Sequence, residues 1–82
     1  MDETESRWTK VAAEMLKGRR IVDVGYMSAK DAKRLGWSDR PVVLHLDDGN
    51  IVFPSMDDEG NNGGALFTND KKTDVLPVLS VR

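Results

Sequence analysis

Between residues 2 and 16 the apolar residues Trp8, Val11, Ala12, Met15 and Leu16 recur at i, i+3, i+4, i+7 and i+8, the spacing of one face of an α-helix. Asp2 stands three residues before Glu5, the arrangement of a capping box, and carboxylates in a first turn complement the positive end of the helix dipole. Lys17 and Gly18 supply a basic last turn and a left-handed stop. The pattern predicts a first helix over residues 3–17. The period then changes to two: over residues 19–27, Val22, Val24 and Tyr26 alternate with Asp23 and Gly25, which predicts a half-buried strand. Ser28 and Asp31 open a short second helix over residues 29–35, with Met27 stapled to Ala32, Ala32 and Leu35 turned inward, and Gly36 as its stop. Trp37 follows and is expected to close one end of the core.

Over residues 41–46, Val42, Leu44 and Leu46 alternate with Val43 and His45, and the run Ile51, Val52, Phe53 follows Asp48-Gly49. Asp-Gly between two such runs signals a hairpin, because both residues tolerate the positive φ of a two-residue turn. If Asp48 and Gly49 are the two loop residues, Leu46 opposes Ile51 and Leu44 opposes Phe53. All four then share the buried face, with His45 and Val52 on the other. Residues 65–68 are long enough for another strand, residues 69–74 form a polar turn, and residues 75–81 read as a last strand that Pro77 confines to an edge or a bulge. The order implies a single α+β domain over residues 1–82. Its expected architecture is a small twisted, mainly antiparallel sheet of about five strands, partly rolled toward a barrel, with the N-terminal helix packed on one face.

Between the hairpin and the last strands lies Pro54-Ser55-Met56-Asp57-Asp58-Glu59-Gly60-Asn61-Asn62-Gly63-Gly64, which can continue neither a helix nor a strand. Most connections in compact domains run about four to six residues, so the length of this one calls for an explanation. One is that Gly and Asn turn successive backbone amides inward onto the carboxylates of Asp57, Asp58 or Glu59, closing the loop on itself and leaving the remaining carboxylates facing solvent.

Composition narrows the chemistry. The 82 residues include no cysteine, so neither a disulfide framework nor a thiolate zinc site is available. The formal charge of −2 argues against an electrostatically driven nucleic-acid binder. No apolar run approaches the length of a membrane span, and the first residues are acidic where a signal peptide would be basic, so the expectation is a soluble cytoplasmic protein.

The stretch Leu46-Asp47-Asp48-Gly49-Asn50, the loop that begins at Pro54, and Gly64-Ala65-Leu66-Phe67 together resemble a family of small uncharacterised bacterial proteins with an Asp-Asp-Gly hairpin and a Pro-x-x-Asp-Asp-Glu-Gly-Asn loop. The likeness extends over roughly residues 16–67, taking in Leu16-Lys17-Gly18-Arg19 and Leu35-Gly36-Trp37. It implies a self-standing domain and brings no activity, cofactor or binding residue with it.

The candidate contact surface is therefore Asp57, Asp58, Glu59, Asn61 and Asn62, offered to a basic protein partner by a non-catalytic binding module. The second reading of the same residues is a calcium or magnesium site, since Asp, Glu, Asn and backbone carbonyls are the hard oxygen ligands these ions take. An EF-hand is excluded, because one starting at Asp57 would need Gly at Asn62 and a carboxylate at Thr68. Catalysis has little support, with His45 the only histidine, in a predicted strand. A single-stranded nucleic-acid surface would need Arg19, Arg20, Lys30, Lys33, Arg34 and Arg40 gathered around Trp37 and Tyr26. The stripe of the first helix has a further use, burial against a second copy in a homodimer.

Overall fold

A computed structural model describes residues 2–81. The elements in chain order are α1 (Glu3–Leu16), β1 (Ile21–Tyr26), α2 (Ala29–Arg34), β2 (Asp39–Arg40), β3 (Val42–Leu46), β4 (Ile51–Val52), β5 (Leu66–Phe67), β6 (Val75–Leu76) and β7 (Leu79–Ser80). The α+β class is as expected. The strands, however, form three small antiparallel sheets, β1-β3-β4, β2-β7 and β5-β6, with no closed barrel among the described residues.

Both helices start where their caps dictate. The Asp2 carboxylate accepts from the Glu5 amide at 2.7 Å, and the Ser28 hydroxyl accepts from the Asp31 amide at 3.1 Å. Ala32 is fully buried with Met27, Trp37 and Val43 in the main core cluster, and Val81 packs against it. The staple between Met27 and Ala32 is thus realised, whereas Leu35 remains 51% exposed. α1 differs most from expectation. None of its residues is buried, and it makes no extensive packing with any strand or with α2. The expected packing of α1 on the sheet is therefore not made: its apolar stripe stays 37–58% exposed, and Met27, Ala32, Trp37 and Val81 gather at Val43 instead.

In the β3–β4 hairpin the register differs by one residue from the expected one. Leu44 opposes Val52 and His45 opposes Ile51. The cause is the turn: the Leu46 amide donates to the Asn50 carbonyl at 2.9 Å, so the loop holds three residues, Asp47, Asp48 and Gly49, and only Gly49 has positive φ, at 90°. A three-residue loop of this kind combines a type I turn with a glycine bulge. Directly opposed residues share a face, so Val24, Leu44 and Val52 lie on one side and Val43, His45 and Ile51 on the other, where Ala32 of α2 joins Val43 in the core. Ile51 and Phe53 consequently leave the face of Leu44 and Leu46; Phe53 meets Trp37 edge-on, with ring centroids 5.9 Å apart.

The expected last strand is two strands. Val75 and Leu76 pair with Phe67 and Leu66, whereas Leu79 and Ser80 pair with Arg40 and Asp39 in another sheet. Pro77, which has no amide hydrogen to donate, falls at the break, and its carbonyl accepts from the Tyr26 hydroxyl at 2.8 Å. β2 is thereby a crossroads: one edge holds β7, and the residues beside it hold the acidic loop.

Candidate functional site

The loop of residues 54–64 is closed by its own backbone and side chains. Its ends come together where Ser55 bridges Gly63, with the Gly64 amide donating to the Pro54 carbonyl and the Met56 amide to the Asn62 carbonyl, both at 2.9 Å. The Ser55 hydroxyl donates to the same Asn62 carbonyl at 3.0 Å. The two glycines that follow are required by close approach. A Cβ on Gly63 would lie 2.5 Å from the Asp39 carbonyl oxygen and 2.7 Å from Pro41, and one on Gly64 would lie 2.7 Å from the Ser55 carbonyl.

Two side chains from outside the loop, or reaching out of it, fix it to the core. Buried Trp37 donates its indole N–H to the Gly60 carbonyl at 2.7 Å. Asn62 accepts from the Asp39 amide at 3.0 Å through Oδ1, and its Nδ2 donates to the Ser38 hydroxyl at 3.0 Å and to the Asp39 carboxylate at 3.3 Å. Asn62 is therefore a structural clamp between the loop and β2, and its polar atoms are engaged inside the fold.

Asp57 closes the tip. Its Oδ1 accepts from the Glu59 amide at 3.0 Å and the Asn61 amide at 3.2 Å, and its Oδ2 accepts from the Asn61 side-chain amide at 2.8 Å. The Asn61 side chain, followed by the backbone amides of Asn61, Glu59 and Gly60, holds the Asp57 carboxyl below the ordinary carboxylate value, against a smaller opposing effect of burial. The same device recurs at the hairpin, where the Asn50 backbone amide, then its side chain and Arg19, lower Asp48. Of the five candidate residues, Asp57, Asn61 and Asn62 are thus committed to the loop, while Asp58 and Glu59 have exposed side chains with no hydrogen bond or ion pair among the described residues. Exposed Met56 lies beside them in the chain.

The other candidate chemistries find less. Among the described residues no three carboxylate or imidazole groups are gathered so as to hold a metal ion. His45 is exposed and shares an open cleft of about 270 Å³ with Ser28 and Asp31, but the Ser28 hydroxyl is the α2 cap and no hydrogen bond joins these three side chains in a relay. The aromatic platform imagined for nucleic acid is dispersed. Trp37 is buried, Arg40 donates to the Ser80 and Met27 carbonyls, Arg19 pairs with Asp47 and Asp48, and Arg34 pairs with Asp31. The contribution of Trp37 and Asn62 to holding the loop was not visible in the sequence, since each reaches its partner across 23 positions of chain.

No helix among the described residues is long and apolar enough to cross a membrane. The chain matches no family model, and no curated protein or solved structure resembles it significantly.

Proposed function

We propose that this chain is a non-catalytic interaction module of the cytoplasm that presents the tip of its acidic loop to a basic protein partner. The observation that carries this reading is the division of labour within the loop: Asp57 is consumed in closing it, while the adjacent Asp58 and Glu59 are exposed and unpaired on a closed support. Preorganised carboxylates lose little conformational freedom when they meet arginine or lysine, so a surface of this kind gives specificity and a fast, salt-sensitive association. The test is an NMR titration of the intact chain with a lysine- and arginine-rich peptide at low and at physiological salt. The expected result is shifts confined to residues 56–61, lost in Asp58→Asn/Glu59→Gln with the remaining spectrum unchanged. Shifts in the same residues on adding calcium or magnesium, and none with the peptide, would give the loop to an ion instead.

A further inference from the structure

The surface of this molecule is larger than its mass requires. A folded monomer of 9.1 kDa is expected to expose about 4,900 Å², whereas this chain exposes 6481 Å². The radius of gyration, 14.1 Å, likewise exceeds the roughly 12 Å expected for 82 residues. Two consecutive elements leave many large apolar side chains open. On α1 the stripe Trp8, Val11, Met15 and Leu16 is open to solvent, with Trp8 58% exposed, and on β1 Ile21, Val22 and Val24 are equally open. An apolar face on this scale in so small a domain marks a surface that is covered in use.

We infer that this surface is the interface of a homodimer, in which α1 pairs antiparallel with α1 of a second copy about a two-fold axis near Val11 and Ala12. Area and charge both select that occupant. The excess, roughly 1,600 Å² per chain, is about twice what each partner contributes to an interface of standard size, so two copies that cover even most of it reach the range of permanent homodimers. Asp2, Glu3 and Glu5 lie at the start of α1, Arg7, Lys10 and Glu14 lie within it, and Lys17 and Arg20 follow its last turn, Arg19 being paired with Asp47 and Asp48. Antiparallel pairing sets the acidic start of each helix against the basic end of the other, places Trp8 near Met15 of the second copy, and brings Lys10 toward Glu14. Parallel pairing would set like against like. An anionic membrane surface is the poorer match, because the acidic residues from Asp2 to Leu16 outnumber the basic ones, Arg7 and Lys10.

Sedimentation equilibrium on the intact chain at physiological salt tests this. The expected species has twice the 9.1 kDa chain mass at micromolar concentration. Met15→Glu is expected to weaken self-association at least about 30-fold, as loss of a buried anchor does, with amide protection of β1 and β3 unchanged because α1 packs extensively on neither. Glu3→Lys/Glu5→Lys and Lys17→Glu/Arg20→Glu should each associate weakly alone and form a heterodimer when mixed. A chain that remains monomeric at about 100 μM, variants that associate like the parent chain, failure of the charge-swapped pair to combine, or partition onto phosphatidylserine vesicles in place of self-association would each overturn the proposal.

Discussion

At the scale of single residues, the loop's unusual composition is mostly a record of close approaches. Gly63 passes so near the Asp39 carbonyl and Pro41 that a methyl group has no room, and its obstacles are backbone and a fixed ring. Gly63→Ala should therefore cost about 1 to 3 kcal/mol, a large share of the stability of a domain this small, measurable by urea denaturation. Asp57 makes a different prediction. Because its carboxyl is held below the 3.8 of an ordinary aspartate, the stabilisation it gives is fully present above that pH and is lost as pH falls through the lower folded value. An NMR titration should follow the Asp57 carboxyl to a midpoint below 3.8, and Asn61→Ala should move that midpoint upward because it removes the largest stabilising contact. The self-closing carboxylate was legible from Gly and Asn around three acids. Which acid closes the loop was not, since the choice depends on where the Gly60 turn, with φ at 73°, aims the amides.

At the scale of elements, local chemistry read well and long-range contact read poorly. The caps of both helices, the staple on Ala32 and the helix existence itself follow from neighbours within five positions. The amphipathic stripe of α1 was equally clear, but a stripe says only that a face wants cover and not which surface provides it. The hairpin failed by one residue for a reason internal to the turn: Asp48 can enter a two-residue turn or a three-residue one, and the bond from Asn50 to its carboxylate at 3.0 Å accompanies the latter. A cross-strand Hα–Hα contact between His45 and Ile51 in NMR spectra is the expected signature, and one between Leu46 and Ile51 would restore the two-residue turn. Gly49→Ala should cost about 1 to 2 kcal/mol, because its φ of 90° lies in the region that a side chain resists. Thermal or urea melting reads it directly.

At the scale of the whole molecule, a small core is supplemented by hydrogen bonds that tie distant segments to β2. Among the described residues the buried apolar side chains are Met27, Ala32, Trp37, Pro41, Val42, Val43 and Leu46, each large one worth about 1.5 to 3 kcal/mol. The loop is part of this fold because Trp37 belongs to the core and to the loop at once. Trp37→Phe should keep most of the packing and lose the bond to Gly60, at a cost of about 0.5 to 1.5 kcal/mol. Whether the acidic loop is a closed, fold-supported platform is decided by amide hydrogen exchange of the intact chain. The amides of Met56, Asn61 and Gly64 should exchange far more slowly than in an unfolded peptide, with and without calcium, and Trp37→Phe should speed them while β3 stays protected. Exchange of those three amides at the unfolded rate in the parent chain would contradict the closed platform.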